Sequence, residues 1–471
     1  MISFKPEDVP VDILPPIFAH LTDRRHLHAV ALVSRTFNGA ATPLLYRTLD
    51  GIISKGRLHH PSRTLLKRPE LAQYVRHVTE TGAVHGTIHH SHPTVTADAL
   101  ASLRLCINLE SLTWNDDSST ADPIFLSFLP IVRQLRIREI IIHSYSDLGE
   151  EAWTLLRQMS GFTKVAIWCM EGPPRVLQGW SDKLGATLTH LELGRCAGVP
   201  PTILGSVLSQ VPLLQELRLR GVPSAAIPSL LTYLPNLITL DVEFQGSGLY
   251  RSSNMPLPRL RNLTVRTSSM DSMGPQKLWF WIRQLSPYPS LESFTLNAFS
   301  VQGPIMVPQR FIMDLASTHK ATLREFIVNT AQLTLEDIKY LCRTFPGLEH
   351  LTCSVASPHV NAIRQAIENG RNLRSLRLHV QWISDVLPTP SWIQALSADD
   401  WQRWTAENKA AERLTVAEAK DIMVSNNSRI RVIGLGEALY TGHWVCRPAS
   451  DGTELEFEVL KDLAPRRWAA I

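Results

Sequence analysis

The chain has 471 residues, 44% hydrophobic and 19% charged, the balance of a folded protein rather than of a chain disordered throughout. Its formal charge of +4, from 47 basic and 43 acidic residues, is too small an excess to imply a nucleic-acid partner. Length allows about three domains or one long repeat array.

Six cysteines in so long a chain make no disulfide framework, and without a CxxC pair no zinc site of the usual spacing is expected. Met1–Asp12 mixes one Lys, one Glu and two Asp with no apolar stretch, so no secretory signal is expected. The longest aliphatic run, around Ile140–Ile142, is far short of a membrane span. The expected location is cytoplasm or nucleus, with no membrane partner.

In chain order, residues 9–49 predict a small all-helical bundle. Ile13, Leu14, Ile17, Phe18 and Leu21 form one apolar helical face. Asp23 or Thr22 is placed to cap a second helix with Leu27, Val30 and Ala31. A third segment carries Val33, Phe37, Ala40, Ala41, Leu44 and Leu45. About forty residues cannot hide this much apolar surface alone, so one face is expected to meet a partner.

These residues resemble an F-box. The family pattern, L-P-x-E-[IL]-L-x-x-I-[FL]-x-x-L followed by a Leu-rich middle and L-V-[SC]-[KR]-x-[WF], is met by Val9-Pro10, Asp12-Ile13-Leu14, Ile17-Phe18, Leu21, Leu27, Leu32-Val33-Ser34-Arg35 and Phe37. Val9 stands for Leu, Asp12 for Glu and Phe37 for the commoner Trp. Pro15 and Pro16 fall within the expected first helix, where proline is tolerated only near its start. The resemblance implies that Pro10, Ile13, Leu14, Ile17, Phe18, Leu21, Leu27, Leu32, Val33 and Phe37 bind a Skp-family adaptor.

Next comes a histidine cluster, His85, His89, His90 and His92. Imidazoles bind zinc, but no Cys or carboxylate stands at ligand spacing. The stretch reads as an exposed loop, so no metal and no cofactor are expected.

The rest repeats. A hexad, apolar-x-x-apolar-x-apolar, starts at Leu109, Val132, Phe162, Leu188, Leu214, Leu237, Leu260, Leu291, Leu323, Leu348 and Leu373, less cleanly at Ile430, with a degenerate copy at Val75-Arg-His-Val78. From 162 to 188 and 188 to 214 the step is 26; from 323 to 348 and 348 to 373 it is 25. This is the period of a leucine-rich repeat. Alternation within the hexad turns one strand face inward, and segments such as Pro200–Val211 supply a helical apolar face. One repeat cannot bury both, but stacked neighbours can. The predicted fold is therefore α/β. A helical F-box bundle (1–50) precedes a leucine-rich-repeat solenoid (51–385), with parallel strands on the concave face and helices on the convex face. A helical insertion (386–427) opens at Ser397–Asp400 and Thr415–Glu418, and a last repeat strand and capping hairpin (428–471) pairs Tyr440–Cys446 with Glu454–Leu460 around Ser450-Asp451-Gly452.

An F-box followed by repeats resembles the substrate receptors of SCF-type ubiquitin ligases. The resemblance implies an adaptor that recruits a cullin and its RING partner, and a protein substrate held by the repeats. Outward strand positions give the candidate substrate face: Arg136, Arg138, Lys164, Trp168, Glu192, Glu216, Arg218, Arg220, Asp241, Glu243 and Arg266. Their mixed charge suits a protein partner better than nucleic acid. No P-loop, G-x-S-x-G or H-E-x-x-H occurs, and Gly434-Leu-Gly436 lacks the rest of a dinucleotide loop, so no catalytic residues are expected. The alternative reading is a leucine-rich scaffold, or an adaptor-bound protein acting without a cullin.

Overall fold

Proline decides where the first helix begins. Pro10 leads into a 3₁₀ turn, Val11–Ile13, and helix α1 spans Leu14–Phe18. Pro15 and Pro16 thus sit in its first turn, where the missing N–H groups have no intrahelical partner to lose. Helix α2, Arg24–Ala31, is capped by Asp23, whose carboxylate accepts from the Arg25 amide at 2.8 Å. Helix α3, Arg35–Leu45, is capped by Ser34, which accepts from the Phe37 amide at 3.2 Å. Leu14, Phe18, Leu27, Ala31, Ala40 and Ala41 form the bundle core, with the Phe18 and Phe37 rings 5.4 Å apart.

The computed structural model describes residues 10–21, 23–54, 57–86, 93–116, 124–246, 256–267, 274–298, 305–356, 359–380, 414–425, 428–436, 438–449 and 452–462. The chain divides into two compact units, Met1–Val222 and Pro223–Ile471.

In the first unit, Arg24 fastens the bundle to the sheet. Its guanidinium pairs with Asp50 and donates to the carbonyls of Leu45 at 3.2 Å and Thr48 at 3.1 Å. Strand β1 (Thr48–Asp50) is followed by an antiparallel pair, β2 (Ile52–Ser54) and β3 (Arg57–His59). Then come β4 (His77–Thr81), β5 (Ser111–Asp116), β6 (Glu139–Ser144), β7 (Lys164–Cys169), β8 (His190–Leu193) and β9 (Glu216–Leu219). They extend β1 as one parallel ladder in the order β1-β4-β5-β6-β7-β8-β9.

The ladder registers stack the hexads. Leu49, Val78, Leu112, Ile140, Val165, Leu191 and Leu217 form one buried row. Trp114, Ile142, Ile167, Leu193 and Leu219 form a second, which Glu80 begins.

One predicted frame is corrected. Val132 and Leu135 lie on the helix Ile124–Leu135, and the strand starts at Glu139. The repeat frame is Ile137-Arg-Glu-Ile140-Ile-Ile142, giving steps of 28 from 109 to 137 and 25 from 137 to 162. The error has a physical origin. The first half of the hexad, apolar-x-x-apolar, is also the i,i+3 spacing of a helix face, so a helix end imitates it.

In the second unit, the strands are β10 (Thr239–Glu243), β11 (Asn262–Thr267), β12 (Ser293–Ala298), β13 (Ile305–Met306), β14 (Glu325–Gln332), β15 (His350–Val355), β16 (Ser375–Val380), β17 (Val432–Leu435), β18 (Ala438–Ala449) and β19 (Gly452–Asp462). From β10 to β17 they pair parallel, with β13 a short addition to β14. Their inner row runs Leu240, Leu263, Phe294, Phe326, Leu351, Leu376 and Ile433.

Ser375 pairs directly with Val432, so β16 and β17 are neighbours in the ladder. Before β17, residues 414–425 hold helix Val416–Val424, capped by a reciprocal Thr415–Glu418 box. Ser397–Asp400 lies outside the described residues. The antiparallel strands β17, β18 and β19 end the sheet, with Ala449 paired to Gly452; Ser450 and Asp451 of the expected turn lie outside the described residues.

Two consequences of this packing are measurable. Burial pushes the thiols of Cys106, Cys169, Cys196 and Cys342 up to about 12, and that of Cys353 also upward. Cys446 alone of the six is exposed. Thiol titration of the native chain is expected to show one fast group, and six after unfolding. In the second unit, His319 is buried, 3.1 Å from the Ser286 carbonyl, and accepts from the Leu291 amide at 3.3 Å. Burial lowers its pKa against a smaller opposing effect of the Ser286 carbonyl. A lowered folded pKa makes this stabilisation complete above the ordinary histidine pKa of about 6.5 and lost as pH falls through the folded value. The urea midpoint of the second unit should therefore fall between pH 7.5 and 5.5, and His319→Gln should flatten that dependence.

Candidate functional site

The expected adaptor-binding residues divide into two groups. Leu14, Phe18 and Leu27 are buried in the bundle core, and Leu21 and Phe37 pack against it. Their side chains hold the helices together. Ile13 (46% exposed), Ile17 (51%), Leu32 (72%) and Val33 (56%) face outward. Pro10 is exposed at the entrance to the 3₁₀ turn. Val11, 56% exposed, joins the outward group and was not singled out by pattern. Ile13/Ile17 and Leu14/Phe18 are adjacent i,i+4 stripes of one short helical run. Both are apolar, so spacing cannot tell which one faces the core.

The strand-face residues also separate. Arg136 and Arg138 derive from the misplaced frame. Arg136 is a turn residue with φ 54° after the helix, and Arg138 precedes β6. The outward positions of that repeat are Glu139, Ile141 and His143.

Four of the remaining first-unit residues, Trp168, Glu192, Arg218 and Arg220, cluster. The Trp168 indole donates to Glu192, which also accepts from Arg218 at 3.0 Å. Arg220 lies 5.9 Å over the Trp168 ring, and His143 meets that ring edge-on at 6.2 Å. Gly194 makes this possible, because a Cβ there would stand 2.2 Å from Trp168 Cδ2. Glu216 pairs with His190 at 3.3 Å, and Lys164 is half-buried beside His190 in the ladder.

In the second unit, Asp241 is buried and pairs with Arg266 at 3.2 Å; Glu243 is half-buried on the same strand. Much of this charge is therefore matched between neighbouring strands. Such a face presents aromatic and polar surface with little net charge.

A polar cluster stands where the repeat pattern demands an apolar side chain. Glu80 occupies the sixth hexad position of the copy at Val75 and is buried opposite Trp114. Its Oε2 lies 3.2 Å from His60 Nε2 and 2.9 Å from His85 Nε2. His60 follows β3, and His85 ends helix α4 (Gly82–His85) and is fully buried. Burial alone would raise the Glu80 carboxyl, but the hydrogen bonds to His60 and His85 outweigh it and hold it below the usual carboxylate range. His85 is thus no loop residue, and it has a carboxylate partner five positions earlier that ligand-spacing rules passed over. His89, His90 and His92 lie outside the described residues. The signal in the sequence was the acidic residue at a core position of the degenerate hexad.

Residues 6–51 match the model of the F-box-like family. No curated protein matches the chain. Among solved structures, it is similar to a chain of the crystal structure of the Rad7 and Elc1 complex in yeast. That similarity has a TM-score of 0.44 and 14% identity, and covers 73% of this chain and 87% of the other. Residues 6–51 are thus an F-box-like domain, set ahead of parallel strands and helices of leucine-rich-repeat type.

Proposed function

We propose that the protein is a substrate-recognition subunit of an SCF-type ubiquitin ligase, acting in the cytoplasm or nucleus without catalytic residues of its own. Its F-box-like domain docks on a Skp-family adaptor that recruits a cullin and RING partner, and its repeats hold a protein substrate. The observation that carries this reading is the outward apolar set Val11, Ile13, Ile17, Leu32 and Val33 on a domain that matches the F-box-like family. An apolar surface of this kind on so small a bundle marks a protein interface. On the repeats, the strand-face cluster around Trp168 offers the aromatic and arginine side chains that dominate interface energetics.

The test is capture of purified adaptor and cullin by the full chain. Ile17→Asp and Val33→Asp are expected to abolish adaptor capture without changing the urea midpoint. Leu14→Ala, a core truncation, is expected to cost about 2–5 kcal/mol of bundle stability. Adaptor capture that survives both surface substitutions would overturn the placement of the interface. Capture of adaptor without cullin would favour a role outside ubiquitin transfer.

A further inference from the structure

We propose that His60, Glu80 and His85 bind a divalent zinc ion at the junction between the F-box-like domain and the first repeats. Three chain segments converge there: the end of β3, the middle of β4 and the end of α4. One ring nitrogen from each histidine and a Glu80 carboxylate oxygen all lie within 4.8 Å of one another. Zinc bonds of about 2.0–2.1 Å in a tetrahedron hold ligand atoms about 3.3 Å apart. The Glu80–His60 and Glu80–His85 separations of 3.2 and 2.9 Å are within a few tenths of that edge.

The surroundings fit a metal ligand set. Each imidazole has its other nitrogen against a hydroxyl: His60 Nδ1 is 2.8 Å from Ser62 Oγ, and His85 Nδ1 is 3.1 Å from Thr96 Oγ1. A hydroxyl donates or accepts equally well. Both rings can therefore carry their proton on Nδ1, leaving both Nε2 lone pairs for the ion, an outer-shell arrangement that orients metal-bound histidines. The contacts given up are the long hydrogen bond from the Ser62 amide to His60 Nδ1 at 3.3 Å and the two Nε2–Glu80 hydrogen bonds, which the metal bonds replace.

Charge points the same way. With both rings protonated on Nδ1, Glu80 has no imidazole N–H to accept from and would be a bare negative charge in the core, which is costly unless compensated; a divalent cation compensates it. Two imidazoles and one carboxylate also suit ferrous iron when several positions stay open. Here Glu80 and His85 are both buried, which leaves little room for several open positions. One added ligand makes four, the coordination number of zinc.

The full chain, stripped with chelator and dialysed, would be titrated with Zn²⁺ by calorimetry and with Co²⁺ by visible absorption. One saturable Zn²⁺ per chain is expected, with the d–d spectrum of a four-coordinate Co²⁺ site. Glu80→Gln and His85→Gln should each abolish that site. Ser62→Ala and Thr96→Ala, which leave all three ligands in place, should weaken it by about 10–100-fold and keep the proposal testable if a ligand variant fails to fold. Substituting His89, His90 and His92 with Ala should leave affinity unchanged. Absence of Zn²⁺ binding, binding unaffected by Glu80→Gln and Ser62→Ala, or loss of binding in the His89/His90/His92 variant would each overturn the assignment and leave a hydrogen-bonded cluster alone.

Discussion

No repeat of this protein can bury its own apolar strand face, and everything else in the two ladders follows from that constraint. Each hexad offers two inward residues to its neighbours in register. The rows they form, such as Leu49–Val78–Leu112–Ile140–Val165–Leu191–Leu217, are continuous within a unit. Stability in such an array is shared between adjacent repeats. A polar residue in a row is therefore conspicuous, and Glu80 is the acidic member of its row. Its burial is tolerable because two imidazoles meet it, and that same convergence of donors gives the cluster its capacity for a metal.

The small helical domain obeys a different limit. Its three helices close over Leu14, Phe18 and Leu27, and the remaining apolar residues have no further core to enter. Ile17, Leu32 and Val33 are consequently left on the surface. Arg24 anchors the bundle at β1 through Asp50 and two carbonyls. A bundle fixed on one side and apolar on another is suited to present a docking surface.

The strand face shows how far residue type alone can mislead. Read along the chain, Glu192, Arg218, Asp241 and Arg266 are a scatter of charges. Across the ladders they become pairs: Glu192 serves both Trp168 and Arg218, and Asp241 serves Arg266. Cross-strand neighbours are set by register, which a linear reading of side chains does not contain. Trp168 gains its place from the absent side chain of Gly194 in the next repeat.

The sequence by itself determined the repeat class, the direction of most strands' inner faces and the F-box-like character of the first fifty residues. Those features depend on local spacing, and local spacing is written in the chain. Tertiary structure decided the rest. It moved the frame from Val132 to Ile137, because a helix end and a hexad share their first apolar interval. It chose Leu14 over Ile17 for the bundle core, because both lie on one apolar run and only packing distinguishes them. It brought His60 to Glu80 and His85 across twenty and more positions, because a buried carboxylate selects its partners by distance in space.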